Sequence, residues 1–366
     1  MNDARPSIYA LILAGGAGTR FWPASRSARP KQLLPLVSDD PLILETARRV
    51  LPLCGSYEHV LVASGRHLVE ATASILPELP FHNLLVEPVP RNTAPAIGWA
   101  AWRVARHDPD AVLMVLPSDH HIADVPGFQA TLERAVASAR TGAITTIGIT
   151  PTHAETGYGY IEMGDAHPGG GLTVKRFVEK PHRALAEEFL ASGRYLWNGG
   201  MFFFRARDMI SAIRAHQPAL AAGLDAFDRA AAAGDELTEV LHTFPTLPSV
   251  SIDKGVMEHM SSLAVLPGDF GWSDIGSWQS AWDLAEKDSL GNASPAGTVF
   301  IDSKNNQVVD LRNGGHGKHR VIAPVGVEDL VVVETDDALL IVPRERSQDV
   351  KEIVDALKKR GDTHLV

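Results

Sequence analysis

The chain has 366 residues, 45% of them hydrophobic, and a formal net charge of −10 at neutral pH, enough apolar content for one large domain beside a smaller one. The negative balance argues against nonspecific nucleic-acid binding, which draws on clustered Lys and Arg, and no apolar run approaches the ~20 residues of a membrane helix. A single cysteine, Cys54, excludes an intramolecular disulfide framework and CxxC metal sites.

In chain order, the opening MNDARPS lacks the apolar core of a signal peptide, which points to a cytoplasmic protein. Residues 9–13 form the first β-prone run, and a glycine-rich turn follows in LAGGAGTRFWPASRSARPK, residues 13–31. Gly15, Gly16 and Gly18 let bare backbone N–H groups approach an anion, because glycine has no Cβ to hold it away. Arg20 and Lys31 add fixed positive charge. A tight strand-to-helix turn is the other use of such glycines; two cations at this spacing favour phosphate. No G-x-x-x-x-G-K-[ST] loop occurs, and Phe21 stands where a dinucleotide fingerprint needs its third glycine, so neither common nucleotide loop applies.

Further β-prone runs at 60–63, 84–86, 112–116 and 144–149 alternate with helical periodicity at 43–51, 68–76, 93–106 and 128–139. Such alternation predicts an α/β fold with a mostly parallel, Rossmann-like sheet and helices on both faces, its ligands at the carboxyl ends of strands. From about residue 291 the texture changes to short β-prone pieces, TVFI at 298, QVVDL at 307, HRVIAPV at 319, LVVVE at 330 and ALLIV at 338, closed by an amphipathic helix over 347–359. The expected domains are therefore 1–288, catalytic, and 289–366, β-rich.

Asp119 follows the run 112–116, so its carboxylate stands at a strand end as a hard oxygen ligand for Mg²⁺; a helix or turn cap is the alternative. Asp274, within WSDIGSW, carries the same two readings, because 275–284 looks helical. His120 and His121 have no further ligand at zinc-motif spacing. Asp253 and Glu258 lie five apart on a helical stretch and face different sides, which favours a capping Asp253 over a carboxylate pair. Glu179 and Asn198 can each make two hydrogen bonds to a hydroxyl-bearing ligand, a carboxylate accepting twice and an amide both donating and accepting; a solvated strand-end charge and a turn residue are the plainer readings. Glu87 could accept from paired N–H donors of a ligand, whereas Thr93 and Asn92 could equally cap and precede a helix starting at Ala94.

These residues resemble a known family. LAGGAGTRFWPASRSARPKQLLPL is similar to the signature of the mannose-1-phosphate guanylyltransferases, and EPVPRNTAPAI, LPSDH, TGYGYI, FVEKP, WNGGMF, SIDKGVMEH and GDFGWSDIGSW follow in the family's order. The resemblance implies transfer of GMP from GTP to mannose 1-phosphate, giving GDP-mannose and pyrophosphate, with Mg²⁺ on Asp119 and Asp274. It implies that Arg20, Lys31 and Lys180 act on phosphates, that Gly15, Gly16, Gly18, Thr19, Glu87, Arg91, Asn92 and Thr93 bind nucleotide, and that Gly159, Glu179 and Asn198 bind the sugar. It further implies a left-handed β-helix in the C-terminal domain and a homodimer. Two positions depart from the pattern: Gly199 for the usual serine and His259 for a common lysine. A relative using another hexose 1-phosphate or nucleotide, and a noncatalytic sugar-nucleotide-binding regulatory subunit, remain alternatives.

Overall fold

The computed structural model describes residues 7–16, 18–312 and 321–366; the opening residues 1–6 and the first two residues of HRVIAPV lie outside this range. The chain forms two compact units that are not consecutive stretches. The first gathers the described residues up to Gly15 with Thr46–Ser118 and Ile122–Trp272; the second gathers those of Gly16–Glu45, Asp119–His121 and Ser273–Val366. A division at 288/289 cuts the chain once, whereas these units cut it several times.

In the first unit, β1 (Ile8–Leu13), β2 (Val60–Gly65), β3 (Leu84–Glu87) and β4 (Val112–Pro117) arise from the predicted apolar runs. They pair in parallel in the order β3-β2-β1-β4, with Leu13 level with Pro117 and Gly65 level with Glu87, so their carboxyl ends share one edge. Leu11, Leu113 and Val115 pack into a core with helix α1 (Thr93–Ala105), while Ala10, Ile12 and Met114, of opposite parity, are also fully buried. Successive side chains point to opposite faces, so both faces are covered.

Beyond β4 the sheet becomes mixed. With β5 (Ile144–Ile149), β6 (Gly159–Ala166), β7 (Leu172–Glu179), β8 (Tyr195–Arg205) and β9 (Leu263–Gly268) it reaches nine strands, in the order β3-β2-β1-β4-β8-β5-β9-β7-β6. β8 runs antiparallel to β4, β5 and β6, and β6 to β7. The parallel pattern thus holds for the βαβ half; from residue 159 a short turn joins β6 to β7, and a short turn can only join antiparallel neighbours.

In the second unit, β10 (Gln307–Asp310) runs parallel to β11 (Leu330–Glu334), which pairs antiparallel with β12 (Leu339–Pro343). The expected strand at 298–301 is absent: Ile301 makes a single bridge to Val325. The piece lies between left-handed residues, Gly297 at φ 92° and Asp302 at φ 48°, which leaves too few residues for a ladder. Single backbone bonds hold it instead, Val299 N–H donating to the Ile322 carbonyl oxygen at 3.2 Å and Ile301 N–H to that of Pro324 at 3.1 Å, while buried amides tie the turns that follow. Asn306 donates to the Val327 carbonyl oxygen and to Asn292 Oδ1, at 3.0 and 3.1 Å. Phe21 and Trp22 of the glycine-rich segment, and Leu34 and Leu42 just after it, share a core with Trp278, Val331, Leu340 and Val354. Trp22 Nε1 donates to the Leu365 carbonyl oxygen at 2.8 Å, tying that segment to the chain's end.

Candidate active site

The glycine-rich segment leaves β1 through Gly16 at φ 132° and Gly18 at φ 57°, conformations that favour glycine. At Gly18 a Cβ would stand 2.5 Å from the Lys31 Cβ, so glycine is what lets Lys31 approach. Lys31 is 6% exposed, and its Nζ donates to Asp119 Oδ2 at 2.9 Å and to the Asp274 carbonyl oxygen. Around this pair lies a cavity of about 370 Å³, lined by Gly18, Thr19, Arg20, Phe21, Lys31, Asp119, His120, Asp274–Gly276 and Lys351, all of the second unit. The structure therefore gathers Arg20, Lys31, Asp119 and Asp274; Gly15 and Gly16 lie just before them in sequence, and Cβ atoms there would meet only open space. Lys351, at the start of the helix Val350–Arg360, is a cavity cation that sequence reading missed, since nothing in its local pattern separates it from other exposed lysines.

Burial would raise the Asp119 carboxyl, but the neighbouring Lys31 ammonium and His120 outweigh it and hold it below the usual carboxylate range. Neither aspartate caps a helix: Asp124 caps Val125–Arg140, and Ser277 caps Trp278–Leu284 in a capping box with Ser280. Next to Asp274, the fully buried Ile275 takes φ 43°, a conformation costly for a β-branched residue.

In the first unit, Glu87 ends β3, where burial pushes its carboxyl up to about 7. Asn92, not Thr93, is the N-cap of α1: its Oδ1 accepts from the Thr93 N–H at 2.9 Å. The Thr93 hydroxyl instead accepts from the Ile252 N–H at 2.9 Å, and the Arg91 guanidinium donates to the Pro245 carbonyl oxygen.

Also in the first unit, Gly159 on β6 faces Glu179 on β7 in register, and a Cβ on it would come within 2.8 Å of Glu179 Oε2 and 3.5 Å of Asn198 Cβ. Asn198 Nδ2 donates to Asp253 Oδ1 at 2.8 Å, and Asn198 Oδ1 accepts from the Gly200 N–H at 3.2 Å. Lys180, at φ 46°, pairs with Glu179 at 3.4 Å on the surface. The expected cap role of Asp253 belongs to Ser251, whose Oγ accepts from the Lys254 N–H at 3.3 Å, which leaves the Asp253 carboxylate to Asn198. Serine two residues upstream was the available signal. At Gly199 a Cβ would meet the Ile147 carbonyl oxygen at 2.9 Å and Met201 Cε at 3.0 Å, so glycine relieves crowding against β5.

The profile of the nucleotidyl transferase family matches residues 9–290. The chain belongs to that family. A MannoseP isomerase/GMP-like beta-helix domain matches residues 297–357. The xanthan biosynthesis protein XanB of Xanthomonas campestris pv. campestris (strain B100) is 43% identical over 99% of this chain and 74% of its own length. A mannose-1-phosphate guanylyltransferase of Klebsiella pneumoniae is 39% identical over 96% of this chain and 74% of its own. A crystal structure of a Thermus thermophilus protein described as a mannose-1-phosphate geranyltransferase superposes with a TM-score of 0.85 at 33% identity, covering 96% of this chain and 99% of that one.

Nucleotidyl transferases of this family generally use Mg²⁺. Among the described residues no group of three or more His, Cys, Asp or Glu forms a closed metal cage. Asp119 and Asp274 in one cavity match the habit of Mg²⁺, which takes one or two carboxylates and completes its shell with water and substrate phosphate. No helix among the described residues is long and apolar enough to cross a membrane.

Proposed function

We propose that the chain transfers GMP from GTP to α-D-mannose 1-phosphate, giving GDP-mannose and pyrophosphate, with residues 1–288 as its catalytic domain and 289–366 as a β-helix-like second domain. The observation that carries this reading is the cavity in which Arg20, Lys31 and Lys351 accompany Asp119 and Asp274. The guanylyltransferase named among the relatives supports the choice of substrates.

The attacking oxygen of mannose 1-phosphate is already ionised at neutral pH, so no general base is required. It forms a bond to the α-phosphorus of GTP as the bond to the bridging oxygen breaks, and pyrophosphate leaves with the electron pair. What the protein supplies is position and charge. Lys31, buried and held by Asp119 and the Asp274 carbonyl, is pre-organised to meet the triphosphate, while Arg20 and Lys351 bring charge from the exposed rim. Backbone N–H groups of Gly15, Gly16, Gly18 and Thr19 cradle phosphate oxygens. Asp119 and Asp274 are the residues that would hold Mg²⁺, and the chemistry it would supply there is neutralisation of phosphate charge. Lys180 takes the sugar phosphate, Glu179, Asn198 and the Gly159 backbone take the mannose ring, and Glu87 accepts from guanine. Arg91, Asn92 and Thr93 shape the loop beside Glu87. The homodimer and the cytoplasmic location implied by the resemblance belong to the same reading; light scattering in solution tests the first.

The deciding experiment is pyrophosphate release from GTP, ATP, dTTP and UTP with mannose 1-phosphate and with glucose 1-phosphate, in Mg²⁺ and in EDTA. Metal-dependent turnover strongest for GTP with mannose 1-phosphate is expected. Another preferred pair would overturn the assignments at Glu87 and Asn198, and silence with every pair would favour a regulatory subunit.

A further inference from the structure

We propose that Asp253 is a positioning residue for sugar selectivity: it locks the side-chain amide of Asn198 in one orientation, so that the amide meets the sugar ring with a fixed donor and a fixed acceptor. The proposal deepens the functional reading above and rests on Asn198 facing the sugar.

A side-chain amide has two flip states that exchange donor and acceptor. At Asn198 both ends are already tied, Nδ2 to Asp253 Oδ1 at 2.8 Å and Oδ1 to the Gly200 N–H at 3.2 Å. A flipped amide would set its oxygen against the carboxylate and its NH₂ against a backbone N–H, two repulsive contacts in place of two bonds. One N–H and one lone pair remain for a ligand, each at a known end. Hexose epimers carry the same hydroxyls in different places, so an amide free to flip would serve either epimer, and a fixed one distinguishes them.

The site is built at a cost. Burial raises the Asp253 carboxyl and the negative charges of Glu179 and Glu258 add to this, against the bond from Asn198. Yet this aspartate caps nothing, because Ser251 fills that role. Asn198 itself sits on β8, level with Gly148 of β5 and next to the bulge at Thr146–Gly148, so its backbone is anchored and only the amide plane is left to set.

The test measures wild type, Asp253→Ala and Asp253→Asn for KM of mannose 1-phosphate, KM of GTP, the mannose to glucose 1-phosphate ratio of kcat/KM, and melting temperature. Asp253→Ala is expected to raise the sugar KM about tenfold and lower the selectivity ratio by a similar factor, with the GTP KM within about twofold. Asp253→Asn, whose own amide can face Asn198 with either end, is expected to lose about threefold in selectivity with an unchanged melting temperature. Where the alanine variant does not fold, the asparagine variant decides alone. Unchanged selectivity in the variants that fold, or equal rises in both KM values alongside a lower melting temperature, overturns the proposal. Wild type that turns over no pair defeats the functional reading instead, before any variant is compared.

Discussion

The cavity around Lys31 and the cluster of Gly159, Glu179 and Asn198 are built from different materials. In the second unit the cavity is assembled from loop residues and a helix start, with a glycine and an isoleucine at positive φ and a lysine wedged between an aspartate and a carbonyl. In the first unit the other cluster stands on adjacent strands, with Gly159 opposite Glu179 in register and Asn198 tied at both ends. Coulomb attraction is weakly directional, so phosphates can be held by charges on loops. Hydroxyl recognition depends on where each donor points, which regular strands fix better than loops do.

Four measurements break or sharpen that contrast. The largest effect is expected from Lys31→Met, which removes the buried cation and leaves Asp119 without its ammonium partner. Its kcat/KM should fall about 10²–10³-fold in steady-state pyrophosphate release, and a loss below about tenfold would sink the role given to Lys31. Next come the two glycines. Gly18→Ala forces a Cβ toward Lys31 at a left-handed residue and should lower kcat/KM for GTP at least tenfold. Gly159→Ala crowds the far end of Glu179 and comes into ordinary contact with Asn198, and should raise the KM for mannose 1-phosphate severalfold with kcat largely kept. Equal kinetic signatures for the two would erase the contrast. Third, Lys351→Met should raise the KM for GTP about three- to tenfold, less at high salt, and leave the sugar KM unchanged, because an exposed cation adds a screened contribution.

The smallest effect concerns pH. A Glu87 carboxyl at about 7 is protonated below that value and can then no longer accept from guanine N1–H and N2 with both oxygens, so the KM for GTP should rise a fewfold from pH 8 to pH 6 and stay flat in Glu87→Gln. The stability sign is opposite. A carboxyl raised above its unfolded value contributes its stability at low pH and loses it as pH rises through about 7, so Glu87→Gln should gain melting temperature over wild type at pH 8 and little at pH 5.

Much of the first unit was legible along the chain. The parallel strands β1 to β4 appeared within a residue or two of their expected bounds because each is a short apolar run between turn residues. Asp253 was misread as a cap because Ser251 competes for the same backbone N–H groups, and which of the two captures them depends on where the helix begins. Asn92 displaced Thr93 for the same reason, taking the cap itself at φ 66°. The strand expected at 298–301 failed because β-propensity in a short piece yields to the turns on either side.

By itself the sequence determined the glycine-rich turn after β1, the βαβ alternation, the strand-end placement of Asp119 and the family motifs, all of which are local patterns of residue type. Only the tertiary structure decided that Lys31 bonds Asp119 and the Asp274 carbonyl, that Lys351 lines the same cavity, that Asp253 holds Asn198, and that β8 enters the sheet antiparallel. The physical reason is that these contacts join residues far apart in the chain, and their geometry follows from which buried faces pack together, a property that no local pattern of side chains records.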